Sequence, residues 1–320
     1  MNNQQYTYAV ARIRANETKL LTKADYDSLI NASGKQAVAS ILIDKGWDID
    51  LKNISSSLEN EAEKVWDLFT RSVPDINLID ALIIPNDFYN LKAAIKATFS
   101  DLDPSKYYIS PCTVNPALLT EAVSHNNFKE LPDFIKVTAE KAYDNYAETS
   151  GGQDSEIIID KASLETALCF AEKSKSELLK MIMSLKCVQA NIKTALRCIF
   201  CGKSKAFTMD AFCTCPGIDN ERLYESAKDK ESLSLYLIET PYSYLKDAVK
   251  GSFAQFENFC DDYIIGLTDS SKWLIDGPDP VISYFYIKMN EIKNARVIIS
   301  AKENGLTPEN IREKVRGVYV

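Results

Sequence analysis

Apolar residues recur along this chain at intervals of three and four, the spacing of one face of an α-helix. The longest such stripe consists of Leu178, Ile182, Leu185, Val188, Ile192, Leu196 and Ile199. Shorter stripes with the same spacing lie in residues 88–99 and 285–295. No glycine or proline interrupts residues 1–33, 47–73 or 153–201, whereas strands would need turn residues about every 8 to 12 positions. The pattern predicts an all-α fold.

The helical pattern also repeats along the chain. Its three copies are NDFYNLKAAIKATF (86–99), QANIKTALRCIF (189–200) and MNEIKNARVII (289–299). Lys92, Lys193 and Lys293 occupy corresponding positions in them, separated by 101 and 100 residues. A long helical stretch precedes each copy, and a loop with a helix breaker and a short helical start follows each one. We infer a unit of about 100 residues, repeated three times.

A unit of this size is too long for a solenoid, whose repeats run about 20 to 45 residues. The repeat predicts instead a compact body with approximate threefold symmetry. The predicted modules are residues 1–112 with the N-terminal segment, 113–214, and 215–320 with a C-terminal helix. Such a body offers a central hollow or a broad face for a partner.

Charge and composition exclude several classes of function. The 320 residues carry a formal net charge of −8, which disfavours binding to nucleic acid or to anionic lipid. No apolar run approaches the roughly 20 residues of a membrane span, and the N-terminus lacks the pattern of a signal peptide. Eight cysteines without an export signal indicate a reducing compartment. We therefore expect a cytoplasmic protein.

Four cysteines provide the sharpest candidate for a chemical site. Cys198, Cys201, Cys213 and Cys215 form a C-x2-C pair, eleven residues, and a C-x-C pair. Four thiolates satisfy tetrahedral zinc, and a redox pair is a further alternative. Against both, Cys198 lies on the second repeat helix, and the C-x-C half is tighter than usual structural sites. Free thiols packed among apolar neighbours are the other interpretation.

Other motifs give no catalytic set. The sequence Gly202-Lys203-Ser204 matches the tail of a P-loop, but Arg197 stands where that motif needs its first glycine. We therefore predict a helix C-cap at Gly202. The single histidine, His125, lies in a polar loop, and the pair Asp261-Asp262 lacks a third carboxylate for magnesium.

Both ends of the chain resemble a known family. YAVARIRANETKLLTKADYDSLINA, with Arg12 and Arg14, is similar to the N-terminal signature of the C subunit of V-type and A-type ATPases. The closing block YFYIKMNEIKNARVIISAKENGLTPENIREKVRGVYV, with Glu291 and Arg296, resembles the end of the same protein. The d subunit of the eukaryotic V-ATPase is its counterpart. The cysteine cluster is a departure from the family, which needs no metal.

The resemblance implies three helical modules arranged as a funnel, with no cofactor and no nucleotide site. It implies a non-catalytic connector between the central-shaft subunits D and F and the membrane proteolipid ring, standing on the ring without inserting into lipid. The candidate partner contacts are Lys92, Lys193, Lys293, Glu291, Arg296, Arg12 and Arg14. Ion pairing between helices is an equally open role for them. A free-standing interaction protein with a four-cysteine site, and a helical enzyme with an apolar pocket, are the alternatives.

Overall fold

The computed structural model describes residues 4–149 and 152–317, and in these ranges every regular element is helical. This confirms the all-α prediction. The α-helices are α1 (Gln4–Glu17), α2 (Lys23–Asn31), α3 (Lys35–Asp44), α4 (Ile54–Ser72), α5 (Ile76–Phe99), α6 (Pro116–Ser124), α7 (Asp133–Thr149), α8 (Gly152–Lys173), α9 (Glu177–Phe200), α10 (Lys205–Ala211), α11 (Asn220–Ser226), α12 (Lys230–Ile238), α13 (Phe253–Leu267), α14 (Asp279–Glu303) and α15 (Pro308–Arg312). Short 3₁₀ helices cover Pro104–Lys106, Ser243–Leu245, Ala248–Lys250 and Thr268–Ser271. Within the ranges given above, no helix has the length and apolarity needed to cross a bilayer.

Local sequence signals set the helix ends. Before α2, Thr22 and Asp25 form a capping box in which each side chain accepts a hydrogen bond from the other's backbone N–H. Gly46, Gly202 and Gly305 follow α3, α9 and α14 with φ of +85°, +65° and +69°, a conformation that glycine adopts without steric cost. Each of these glycines therefore turns the chain sharply out of its helix.

The chain divides into two compact units, and the first contains both its early and its late segments. This unit comprises Met1–Asp75, Ser176–Leu178 and Glu257–Val320. Helix α14 is central to it and packs against α1, α3, α4 and the 3₁₀ helix before it. The ring of Phe285 on α14 lies 4.6 Å from the Trp66 ring and 4.9 Å from the Phe69 ring, centroid to centroid. These aromatic contacts join α4 to α14.

The second unit comprises Ile76–Lys175 and Leu179–Phe256. Helix α5 packs along α8 and also contacts α6 and α7. The core around these helices is built from fully or almost fully buried side chains, among them Phe88, Leu91, Ile95, Leu119, Ile135 and Ile159. Phe88, Leu91 and Ile95, which are spaced by three and four residues in the sequence, thus lie on one buried face of α5.

The predicted stripe on α9 is buried from Leu178 to Ile192, with each of its side chains at most 3% exposed. Leu196 and Ile199, at the end of the stripe, instead line an apolar surface cavity of about 390 Å³ beside Phe200. The burial pattern confirms the helical period. The module boundaries 1–112, 113–214 and 215–320, and their arrangement as a funnel, stay predictions.

Candidate functional site

Three buried asparagines make the same contact in three places. Asn90 on α5, Asn191 on α9 and Asn294 on α14 are each at most 1% exposed. In each, the side-chain Nδ2 donates to the carbonyl oxygen of one later residue, and Oδ1 accepts from the N–H of that same residue. The pairs, with these two distances in order, are Asn90 with Ile109 (3.0 and 2.8 Å), Asn191 with Cys213 (2.8 and 2.8 Å) and Asn294 with Arg316 (2.7 and 2.9 Å). We call these contacts the asparagine clamps.

The chain reaches each clamp by the same route. A long helix ends, one short helix follows, and the next segment returns to the asparagine. The short helices are Pro104–Lys106, α10 and α15. Each clamp gives hydrogen-bond partners to the backbone N–H and C=O of one residue that lies outside the helices. The recurrence of this contact supports the triplication inferred from the sequence.

The clamps also fix the register of the repeat. They align NDFYNLK (86–92) with CVQANIK (187–193) and NEIKNAR (290–296). Arg296, rather than Lys293, therefore lies two residues after the third asparagine, as Lys92 and Lys193 do after theirs. A shared N-x-x-x-N-x-K/R pattern in the first and third copies was the sequence signal for this register.

Further polar side chains support two of the clamps. One turn before the clamp, Asn86 donates to the Pro111 carbonyl (2.7 Å) and Asn290 donates to the Gly317 carbonyl (2.8 Å). The buried carboxylate of Asp87 accepts hydrogen bonds from the backbone N–H groups of residues 113 and 114. Burial raises the pKa of Asp87 above its ordinary value, although these hydrogen bonds oppose the shift.

The basic residues near the clamps differ in their contacts. Lys92 pairs with Asp160 on α8, and Lys293 Nζ lies 2.7 Å from Asp261 Oδ2 on α13. Lys193 is half-buried, and Arg296 is exposed. Ion pairing between helices is therefore seen for Lys92 and Lys293, in line with the structural role that the sequence left open.

Glu291, another predicted contact, lies inside the first unit at 2% exposure. It accepts hydrogen bonds from the Leu21 N–H and from Lys288 Nζ, the latter at 2.8 Å. Burial raises the pKa of Glu291, while Lys288 opposes that shift. Glu291 thus joins the chain segment after α1 to α14.

The two arginines on α1 have different surroundings. Arg14 pairs with Glu17 and donates through Nη2 to the carbonyl oxygens of Ser271 and Leu274, both at 2.9 Å. It thereby holds a loop in which Trp273 is 85% exposed. Arg12 donates to Ser72 Oγ at 3.4 Å.

The cysteines of the zinc and redox alternative are not equivalent in the structure. Cys201 is exposed, Cys198 is buried at the end of α9, and Cys213 and Cys215 are buried beside Cys187. The hydrogen bond with Cys187, and then burial, raise the pKa of Cys213 well above that of a free thiol. A thiol that stays protonated is a poor nucleophile, which disfavours a redox role for Cys213. Among the residues described, no group of three or more His, Cys, Asp or Glu side chains is placed to hold a metal ion.

The remaining sequence motifs lie at turns, in loops or in contacts between backbone and side chains. Gly202 ends α9, and Ser204 caps α10 by accepting a hydrogen bond from the Phe207 N–H, so Gly202-Lys203-Ser204 is a helix-to-helix turn. This confirms the predicted C-cap. His125 is exposed, as expected from its polar loop. The Asp262 carboxylate accepts a hydrogen bond from the Gly317 N–H.

Comparison with known proteins identifies the family. The family model described as ATP synthase (C/AC39) subunit matches residues 9–314. The chain belongs to this family. It is 24% identical to the C subunit of the V-type sodium ATPase of Enterococcus hirae over 321 residues, covering 96% of this chain and 97% of that protein. It is 23% identical to the C subunit of the A-type ATP synthase of Thermococcus kodakarensis, covering 97% of this chain and 90% of that one. The resemblance read from the two ends of the sequence is confirmed.

Proposed function

We propose that this chain is the non-catalytic connector of a V/A-type rotary ATPase, joining the central-shaft subunits D and F to the membrane proteolipid ring. It transmits torque between them during ATP-driven ion transport or ATP synthesis. It works on the cytoplasmic face of the membrane, without lipid insertion, cofactor or nucleic acid. The observation that carries this proposal is the family match over residues 9–314, with relatives named as C subunits of such ATPases aligned along nearly their whole length.

The asparagine clamps fit this task mechanically. A part that carries torque must resist shear between its helices and the segments that follow them. Each clamp ties a long helix to a later segment by two hydrogen bonds from a buried asparagine. In the Asn191 clamp the partner Cys213 is buried as well, so water cannot readily replace those two bonds. Repetition of the clamp supports three similar modules, and we propose that they form a funnel around the end of a shaft.

Four basic residues are the proposed shaft contacts: Lys92, Lys193 and Arg296, each two residues after a clamp asparagine, and Lys293, one residue before Asn294. Arg296 is the best placed of them because it is exposed and has no ion-pair partner within the described ranges. Arg12, Arg14 and Glu291 join parts of the first unit. Substituting them should therefore affect partner binding indirectly, by destabilising that unit.

Reconstitution tests the proposal. The full chain is mixed with the D–F pair and with detergent-solubilised proteolipid ring, and complexes are separated by size. We expect it to co-elute with both. In vesicles, a complex assembled without this chain should hydrolyse ATP without ion uptake. Ion uptake unchanged by omission of the chain, or failure to bind either partner, would refute the proposal.

Charge reversal at Arg296 tests whether this residue contacts the shaft. Arg296→Glu should weaken binding to the D–F pair at least about 10-fold if the guanidinium meets a carboxylate there. Lys106→Glu, at an exposed lysine on the 3₁₀ helix Pro104–Lys106, is the matched control of equal charge change. Equal effects of the two variants would remove Arg296 from the interface.

A further inference from the structure

The first unit contains a polar cavity that the clamps do not use. Helices α1, α4 and α14 and the turn after α3 surround about 330 Å³ of space. Its basic lining residues are Arg12, Lys19, Lys45, Lys64 and Lys288. Glu61 is the one carboxylate among the lining residues. This concentration of positive charge stands out in a chain with a net charge of −8.

Three of the five cations have carboxylate partners, and one of these carboxylates, Glu61, itself lines the cavity. The pairs are Lys45 with Asp25 (2.7 Å), Lys64 with Glu61 (2.7 Å) and Asp48 (3.2 Å), and Lys288 with Glu291 (2.8 Å). These carboxylates fix the lysines in place and neutralise their charge. Counting five cations against these four carboxylates leaves a formal charge of +1 around the cavity.

The other two cations have no such partner. Arg12 contacts the Ser72 hydroxyl and lies 5.7 Å over the Tyr8 ring, but no carboxylate lies within ion-pair distance of it in the described ranges. Lys19 is exposed and likewise makes no ion pair there. A guanidinium and an ammonium in the lining of this cavity thus have no carboxylate partner and can bind an anion.

Trp47 adds a second observation. It is 4% exposed, lines the cavity, and its indole N–H has no hydrogen-bond acceptor among the residues described. The turn that places it is made by Gly46 at φ +85°, with the backbone N–H of Trp47 donating to the Leu42 carbonyl at 3.0 Å. Lys288 Nζ lies 4.1 Å from the centroid of the Trp47 ring. A buried donor without an acceptor is uncommon in folded proteins.

We propose that this cavity binds a phosphate dianion, either inorganic phosphate or the phosphoryl group of a small phosphomonoester. The Arg12 guanidinium matches two phosphate oxygens, and Lys19 supplies a mobile point charge. The volume lies at the lower end of the range for small-molecule sites, which suits a compact and multiply charged ligand. The proposal does not depend on the rotary-connector function.

Isothermal titration of the purified full chain tests the site. Inorganic phosphate and glycerol 3-phosphate are titrated separately at about 0.15 M ionic strength, with sodium chloride as the ionic control. We expect saturable binding of at least one phosphate compound at one site per chain. Tighter binding of glycerol 3-phosphate identifies a phosphomonoester as the ligand, and tighter binding of inorganic phosphate identifies the free ion.

A double variant links binding to the cavity. Arg12→Gln with Lys19→Gln should weaken binding at least about 10-fold, because both uncompensated cations are lost. Arg296→Gln with Lys302→Gln is the control of equal charge change. These residues lie on α14, 8 and 14 residues beyond Lys288 and outside the lining, about 12 and 21 Å along the helix.

Three outcomes would overturn the proposal. The first is no heat of binding above the chloride control with either phosphate compound. The second is an equal loss of affinity in the two double variants, which would indicate non-specific attraction. The third is unchanged affinity in Arg12→Gln with Lys19→Gln while its far-UV circular dichroism matches the wild type.

Discussion

Replacing a clamp asparagine by alanine should cost more stability where the freed backbone groups cannot reach water. Asn90→Ala and Asn191→Ala remove the same amide from equally buried positions of the second unit. The partner of Asn191, Cys213, is 2% exposed, whereas the partner of Asn90, Ile109, is 37% exposed. Water can therefore replace the lost amide at Ile109 but not at Cys213.

The magnitudes follow from the contacts that survive. After Asn191→Ala, the Cys213 carbonyl keeps a donor, Asn220 Nδ2 at 3.2 Å, but its N–H loses the acceptor that Asn191 supplied. Loss of the hydrogen bonds and one stranded buried N–H together cost about 2–4 kcal/mol. After Asn90→Ala, both Ile109 groups can bond water, and the cost is about 1–2 kcal/mol. Both substitutions remove the same side-chain volume.

Urea denaturation followed by far-UV circular dichroism measures these differences. Asn60→Ala, at an exposed position of α4, is the control and should change the free energy of unfolding by less than about 0.5 kcal/mol. Because Asn90 and Asn191 belong to one unit, they should affect the same transition. A loss for Asn90→Ala equal to or larger than that for Asn191→Ala would refute the argument from burial.

Three further predictions concern titration, loop order and thiol reactivity. Since burial raises the pKa of Asp87 above 3.8 in the folded state, wild type should lose stability relative to Asp87→Asn as pH rises above that value. Parallel stability curves from pH 3 to 7 would contradict this. Arg14 reaches its acceptors from two nitrogens, Nη1 for Glu17 and Nη2 for the two carbonyls, whereas a lysine has only Nζ, so in Arg14→Lys amide exchange in residues 271–274 should accelerate. Unchanged exchange rates would count against Arg14 as the loop's anchor. Cys201 should react with a thiol reagent in the native protein and Cys213 only after unfolding, as read by peptide mass analysis. Equal labelling rates for the two would show that Cys213 is not protected.

The helical fold could be predicted because it depends on local patterns. Stripes of period three and four predicted the buried faces of α5 and α9. The long helical stretches predicted before the three repeat copies are present and begin at Ile54, Asp133 and Phe253. Helix breakers and caps are equally local, as Gly202 shows. Sequence patterns therefore suffice where the partners lie within a few turns.

The register of the third repeat could not be fixed by apolar spacing. A slip of three residues keeps the same helix face buried, so Lys293 and Arg296 fit the stripe almost equally well. Only Asn294, with a specific partner 22 residues later, decides between them. The Arg14 contact with Ser271, 257 positions away, depends on tertiary packing that no local pattern encodes.

The division of the first unit between distant parts of the chain has a consequence for synthesis on the ribosome. Helices α1 to α4 are made early, yet their central packing partner, α14, is made more than two hundred residues after them. At a synthesis rate of about 5–20 residues per second, the apolar faces of these helices stay exposed for tens of seconds before α14 can pack on them. The second unit, in contrast, has its whole sequence once residue 256 has been made. Nascent chains stalled before α14 should therefore recruit chaperones through residues 4–72, and release past residue 303 should end that dependence.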